Sequence, residues 1–439
     1  MTGRTFRMRR VRKLVPGRGR EARTHRGTQP KVVALGGGHG LSASLAALRR
    51  ITGDLTAVVT VADDGGSSGW LRDELGVLPP GDLRKALAAL CGDDDWGRTW
   101  ARVVKHRFES QGELHGHAVG NLLIVALWEQ LGDHVQALDL VGKLLGAHGR
   151  VLPMSAVPLE LQALVRGHDP AAPDAVTTVR GQATVALTPG EVQSVHVVPE
   201  DPPAVPEAVE AVLDADWVVL GPGSWFSSVI PHLLVPELLD ALQETKARRV
   251  LSLNLAPQPG ETDGFSPQRH LEVLARHAPK LALDVVLADE AAVLDRESLT
   301  DAAKRLGATV ELAPVASPDG SPTHDPELLA AAYDRIFFGC MEGSAHGDDG
   351  SGEGRNLPAP RHPDLLPESG GLGHPAVRGR VAPGQRAHRD RGGAGHRDRR
   401  PAAAQGHPGN LRACVRPGGD GPRRAAQRQP VRGAGGGGR

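Results

Sequence analysis

Twice in this chain a short apolar run ends on a glycine cluster that opens a helical pattern. Residues 31–35 (KVVAL) lead straight into Gly36-Gly37-Gly38-His39-Gly40-Leu41-Ser42, and Trp217–Leu220 (WVVL) leads into Gly221-Pro222-Gly223-Ser224. An apolar run without alternation belongs to a strand covered on both faces. A strand that hands over directly to a helix pairs in parallel with the next strand through that helix. The pattern restricts the chain to α/β architectures, in which ligands sit beyond the carboxyl ends of the strands.

The same rhythm continues along residues 31–338. Leu41, Leu45 and Leu48 share one face of a helix, residues 55–61 (LTAVVTV) read as a second buried strand, and a helix over 82–90 starts behind Pro79, Pro80 and Gly81 with Asp82 as its N-cap. Helices are expected over 121–131 and 135–145, and Val151 leads into Leu152 to Ser155 (LPMS). A β-rich stretch follows near 159–166, 178–187 and 192–198. Helix 206–213, strand 217–220, helix 235–245, strand 250–255, helix 267–277 and strand 283–287 complete a parallel sheet with helices on both faces.

Net charge is zero only on average. Of 51 basic and 51 acidic side chains, residues 1–30 carry 10 basic and one acidic, and residues 351–439 carry 17 basic and 6 acidic. Residues 31–350 are left with 24 basic and 44 acidic, a formal charge of −20. An acidic centre disfavours nucleic acid as the partner, although the basic ends alone would suit an anionic surface. Cys91, Cys340 and Cys414 form no metal-ligand spacing and no disulfide framework, which favours a reducing, cytoplasmic compartment. No apolar run is long enough for a membrane span, and the basic start has no apolar segment behind it.

Both ends lack the means to build a core. Residues 1–30 have no apolar periodicity and read as a disordered arm. All 13 aromatic residues lie at or before Phe338, and from Ser351 onward there is no Lys, Ile or Met. Residues 339–439 therefore read as a disordered tail, and also as GC-rich DNA translated in the wrong frame. A shifted reading of SGEGRNLPAPRHPDLLPE comes close to AVKDEISRLPVTRTCCR, which resembles the start of the WhiA-type transcription regulator. A frameshift near residues 340–350 is the expectation; resequencing the 3′ end of the gene tests it.

Six motifs at strand ends carry the chemistry. Gly36, Gly37, Gly38, His39 and Gly40 combine positive-φ freedom with free helix amides, a fit for phosphate, or else a tight turn without a ligand. The Gly38-x-Gly40-x-x-Ala43 spacing loosely fits a dinucleotide fingerprint, and no Gly-Lys-Ser/Thr follows to make a P-loop. Asp63 and Asp64, ahead of Gly65-Gly66-Ser67-Ser68-Gly69, could accept from sugar hydroxyls, hold a divalent metal, or merely form turn bonds, with Arg72 close behind to neutralise phosphate. Pro79-Pro80-Gly81-Asp82-Leu83-Arg84 offers Asp82 as ligand or cap. Gly116-His117-Ala118-Val119-Gly120-Asn121 offers Asn121 to a base or ribose, with core packing as the alternative. Gly221, Gly223 and Ser224 form a second anion cradle, so that two cradles at one sheet edge suit a diphosphate. Asn254 and Gln258-Pro259-Gly260-Glu261-Thr262-Asp263-Gly264 supply acceptors to hydroxyls or a capped loop.

GGGHGLS, VADDGGSSG, PPGDLR, GHAVGN, GPGSWFSSVIP and QPGETDG, in this order, resemble the gluconeogenesis factor (YvcK-like) family within the superfamily of 2-phospho-L-lactate transferase (CofD-like). The likeness covers about residues 31–338, and THDPELLAAAYDRIF resembles the family's usual end. It implies a Rossmann-like fold that binds UDP-sugars such as UDP-N-acetylglucosamine. It also implies a cytoplasmic regulator linking central carbon metabolism to cell-wall precursor supply and cell shape. His39 stands where Thr is usual and Trp70 where Arg is usual, which bears on ligand choice.

No recognisable nucleophile set accompanies these motifs, and His117 alone is a weak general base. The expectation is a non-enzymatic regulator with no required cofactor, a nucleotide sugar as ligand and a cell-wall-precursor enzyme as partner, with homo-oligomerisation left open. The alternative is a transferase moving a phospholactate-like group from a nucleotide-diphosphate donor, with Mg²⁺ on Asp63 or Asp64. A dinucleotide-dependent oxidoreductase and a nucleic-acid arm are weaker readings.

Overall fold

The computed structural model describes residues 29–339. The expectations for the arm, the tail, the frameshift and for Cys340 and Cys414 lie outside the described residues, apart from the few positions at 29, 30 and 339.

Among the described residues, ten strands and twelve α-helices follow one another. The first half holds β1 (Val32–Gly36), α1 (Gly38–Leu48), β2 (Leu55–Val59), α2 (Gly66–Leu75), α3 (Gly81–Leu90), α4 (Asp95–Lys105), α5 (Val119–Leu131), α6 (His134–Leu145) and β3 (Arg150–Pro153). A small insertion follows: β4 (Glu160–Arg166), β5 (Val176–Arg180), α7 (Gln182–Val185) and β6 (Glu191–Val198). The second half holds α8 (Pro206–Leu213), β7 (Trp217–Leu220), α9 (Pro236–Glu244), β8 (Arg248–Ser252), α10 (Pro267–His277), β9 (Val285–Asp289), α11 (Arg296–Arg305), β10 (Thr309–Ala313) and α12 (Pro326–Asp334).

Seven strands form one parallel sheet in the order β10-β9-β8-β7-β1-β2-β3, and β5-β4-β6 form a separate antiparallel sheet. The fold is a Rossmann-like α/β sheet flanked by helices. β1 and β7 are buried at every position, as their unbroken apolar runs require. α1 turns Leu41, Leu45 and Leu48 into the core, each worth about 2 kcal/mol of transfer free energy. The chain lays β1, β2 and β3 in one direction, then returns to place β7 on the free side of β1 and β8 to β10 beyond it. Strand order reverses between β1 and β7, so the crevice outside their carboxyl ends is the switch point where such sheets bind ligands. Both glycine loops open there.

Several local expectations are corrected. Asp82 is not an N-cap: α3 begins one residue earlier, at Gly81, behind Pro80, and Asp82 lies inside its first turn. The strand expected over 178–187 stops at Arg180, where Gly181 takes φ +89° and a helical turn begins. Five helices, α2, α4, α7, α11 and α12, had no counterpart in the periodicity. α2 starts within the Gly/Ser run itself, while α4 and α11 are polar enough to hide their apolar stripe, each capped by an Asp side chain, Asp94 and Asp295. Among the described residues, no helix is long and apolar enough to cross a membrane.

Candidate functional site

β1 delivers the first glycine loop to the switch point. Gly37 is the extended N-cap of α1 and offers no capping side chain; Gly38 follows at φ +62°. The first helical bond runs from the Leu41 N–H to the Gly37 carbonyl, at 3.2 Å. The amides of Gly38, His39 and Gly40 belong to the first turn, where a helix has no internal acceptor to offer. The wall around them is tight. A Cβ on Gly37 would lie 2.5 Å from Thr60 Cγ2 and 2.6 Å from Asp82 Oδ2, whereas one on Gly38 would meet nothing within 4 Å. The turn therefore opens outward over Gly38 and is closed behind Gly37.

The two loops touch. A Cβ on Gly40 would lie 2.3 Å from the Pro222 carbonyl oxygen and 2.5 Å from Gly223 Cα, so only glycine lets the backbones approach so closely. Ser44 Oγ donates to the Gly221 carbonyl at 3.0 Å and shares a 2.9 Å hydrogen bond with the Tyr333 hydroxyl. Tyr333, in α12 of the THDPELLAAAYDRIF segment, is buried, which pushes its phenol up to about 12.

The second loop is filled from within the chain. The Glu261 carboxylate accepts from the backbone N–H of Phe226 at 2.7 Å and of Ser227 at 3.0 Å, and from Ser224 Oγ at 2.7 and 2.6 Å. Asn254 donates to the Gly223 carbonyl at 2.8 Å and accepts from the Gly223 N–H at 2.9 Å. At the expected second phosphate cradle of Gly221, Gly223 and Ser224, the Gly221 N–H bonds the Leu35 carbonyl, the Gly223 N–H bonds Asn254, and the carboxylate on Ser224 is the protein's own Glu261. Asn254 is likewise a loop clamp with both ends of its amide engaged. Burial pushes the Glu261 carboxyl above the usual range, against the pull of its hydrogen bonds.

Acids and bases line the turn from α1, α3 and the β2–α2 loop. Asp82, 3% exposed, pairs with Lys85 Nζ at 2.7 Å. Asp63 accepts from the Gly65 N–H at 3.0 Å; burial, then the nearby Asp82 charge, raise its pKa. The exposed His39 has its pKa lowered by partial desolvation and by the Lys85 ammonium. Beside this group lies a buried relay. Arg84 Nε donates to Asn121 Oδ1 at 2.9 Å, Asn121 Nδ2 donates to Ser67 Oγ at 3.0 Å, and Ser67 Oγ lies 3.2 Å from His117 Nδ1. Burial, then the Arg107 charge, lower the Arg84 pKa. Trp70, 46% exposed, meets His117 edge-on with ring centroids 4.6 Å apart.

Two expected ligand contacts are committed elsewhere. Asp64 Oδ1 accepts from the Ala183 N–H at 2.9 Å and so anchors α7 of the small sheet. Arg72 Nη1 donates to the Leu159 carbonyl at 2.7 Å, holding the β3–β4 link rather than a phosphate. Asn121 is 1% exposed and orients Arg84. The structure thus brings Gly37, Gly38, His39, Gly40, Asp63 and Asp82 together and leaves Asp64, Arg72 and Asn254 to the scaffold. Sequence reasoning missed Lys85, although its i,i+3 spacing from Asp82 was a usable signal. It also missed that Glu261 serves the other glycine loop, which no local spacing encodes.

With this geometry in place, the likeness to known proteins is specific. Residues 32–316 match the family described as "2-phospho-L-lactate transferase CofD". A Mycobacterium leprae protein named "Putative gluconeogenesis factor" is 53% identical over 322 residues, covering 73% of this chain and 89% of that protein. The Mycobacterium tuberculosis protein of the same name is 55% identical over 308 residues, 70% of this chain and 90% of its own. The crystal structure of a Bacillus halodurans member of the UPF0052 family superposes with a TM-score of 0.63 at 32% identity, covering 70% of this chain and 99% of that one. The matched span holds both glycine loops, the Asp63–Asp82–Lys85 group and the Glu261 segment. The chain belongs to the CofD family, among the proteins named gluconeogenesis factor.

Proposed function

We propose that this chain is a cytoplasmic, non-enzymatic regulator that binds a UDP-sugar, UDP-N-acetylglucosamine, and passes its occupancy to an enzyme of cell-wall precursor supply, linking carbon metabolism to cell shape. The observation that carries the binding reading is the uncapped start of α1 at the switch point, opening outward over Gly38. Its amides and helix dipole favour an anion, and Lys85 at the same wall neutralises the buried Asp82 carboxylate that would otherwise repel one. Acidic groups farther than about 8 Å are screened at physiological salt, and Asp82, the carboxylate behind Gly37, is paired with Lys85.

The side chains favour binding over chemistry. Asp64 is taken by the Ala183 amide, His117 is committed to Ser67, and Asp82 is neutralised by Lys85. One observation favours the transferase alternative: Asp63 and Asp82 lie near enough for one charge to raise the pKa of the other. A pair of that kind suits Mg²⁺, but here the Lys85 ammonium already occupies the cationic role, so a metal would have to displace it.

Titration calorimetry of the full chain with UDP-N-acetylglucosamine, GDP and NAD, each with and without Mg²⁺, tests the proposal. The expected result is binding of the UDP-sugar alone, without metal. GDP binding that requires Mg²⁺ would favour the transferase, NAD binding the oxidoreductase, and no binding of any of the three would overturn the site.

A further inference from the structure

Asn254 and Glu261 come from one segment, residues 254–264, that runs across the second glycine loop. Asn254 holds both polar groups of Gly223, and Glu261 holds Ser224, Phe226 and Ser227, so four residues of this loop are held by two side chains. The segment is braced on its far side. Gly260, at φ +81°, lies so close to Ala186 that a Cβ would be 2.9 Å from its carbonyl oxygen, and Ala186 follows α7, which Asp64 anchors. Gln258 N–H donates to Thr262 Oγ1 at 2.8 Å, and Gly260 N–H donates to Asp263 Oδ2 at 2.8 Å, so the loop that presents Glu261 is itself tied.

What Glu261 fixes is also one wall of the first loop, because Gly40 packs on Pro222 and Gly223. The geometry points to Glu261 as a positioning residue: a buried internal carboxylate that seats the Gly221–Ser224 loop against Gly40 and thereby sets the shape of the phosphate turn at Gly37–Gly40. This rests on the proposed anion site. Glu261 touches no ligand; it acts through Ser224, Gly223 and Gly40. Its carboxylate satisfies two backbone donors that burial would otherwise leave empty, and a buried donor without a partner is costly. The same contact makes the site selective. A second anionic group aimed at the Gly221–Ser224 loop would meet a carboxylate already in place, so the ligand's negative charge must be carried at the first turn.

Three variants of the full chain decide this: Glu261→Ala, Glu261→Gln and Ser224→Ala. UDP-N-acetylglucosamine and inorganic pyrophosphate are the two calorimetric probes, and amide exchange of Leu41, Phe226 and Ser227 is read without ligand. In Glu261→Ala, affinity should fall about tenfold or more, the cost of unsatisfied buried donors relayed to the wall. Exchange should quicken at Phe226 and Ser227 and also at Leu41, the first amide bonded in α1. Glu261→Gln keeps an acceptor for both amides and should restore most of the affinity, and Ser224→Ala should fall between them. Should Glu261→Ala unfold, the Gln and Ser224 variants still give the ordering. Unchanged affinity and unchanged Leu41 exchange in a folded Glu261→Ala chain would overturn the inference, as would loss of stability with no selective change at Leu41. If the wild-type chain binds neither probe, the proposed function falls, and Leu41 exchange alone still decides the role of Glu261.

Discussion

The two glycine loops share a grammar and differ in what holds them. Each follows a four- or five-residue buried strand, each begins a helical turn, and each uses glycine where the other's backbone approaches. At the first loop the N-cap is Gly37 without a side-chain bond, and the turn opens outward. At the second, Glu261 and Asn254 reach in from residues further along the chain and satisfy its buried and half-buried donors. One loop has no side chain capping its helix start, and the other holds an internal carboxylate. A glycine-rich turn after a strand therefore establishes that an anion fits; whether that anion is a ligand depends on long-range contacts that put side chains there or withhold them.

The harshest test of the contact between the loops is Gly40→Ala. Its Cβ would fall 2.3 Å from a backbone carbonyl and 2.5 Å from a Cα, and backbone has no rotamer into which it can retreat. Urea denaturation should show a loss of about 3 kcal/mol, the upper end for overpacking, and UDP-sugar binding should go with it. A variant with wild-type stability and affinity would mean the loops do not pack as described.

Acid should act on the second loop first. His232 lies in the 3₁₀ turn Ile230–Leu234 that continues this loop, is fully buried, and bonds the Val58 carbonyl of β2 at 3.1 Å. Desolvation lowers its pKa to about 4 from 6.5. A folded pKa below the unfolded one means that stability is complete above about pH 6.5 and is lost as pH falls toward 4, since the unfolded chain takes up the proton first. His232 alone should cost about 2 kcal/mol between pH 7 and pH 5. His324, also near 4, adds to the wild-type slope, so the quantity to measure is the difference in slope between wild type and His232→Gln. Equal slopes would show that His232 does not titrate in this range.

Most of the sheet was legible from the sequence because burial on both faces writes itself as an apolar run, as in β1, β7 and β9, whereas the half-buried edge strand β10 (TVELA) carries no such run and was missed. The first loop was legible because its donors belong to its own backbone. Asp64, Arg72 and Asn254 share a feature that local sequence does not carry. Each has a side chain of ligand-binding type near a strand end or in the helix behind it, and each engages a partner distant in sequence, namely Ala183, Leu159 and Gly223. Residue type and local spacing say what a group can bind, not what tertiary contact reaches it first. Glu261 shows the converse. Its motif promised acceptors, but the donors it meets lie 34 to 37 residues upstream.

The mildest substitution bears most directly on the difference between the loops. Gly38 sits at φ +62°, and a Cβ there would meet nothing within 4 Å. Gly38→Ala should therefore cost only the left-handed strain of an L-residue, about 1 kcal/mol, with little change in the melting transition. If the first loop is the vacant anion seat, that new methyl projects into the space the ligand needs, and affinity for UDP-N-acetylglucosamine should fall far more than stability does. If the methyl is tolerated and the affinity kept, the ligand does not approach over Gly38, and the outward opening of the first turn is a property of the backbone rather than of a binding site.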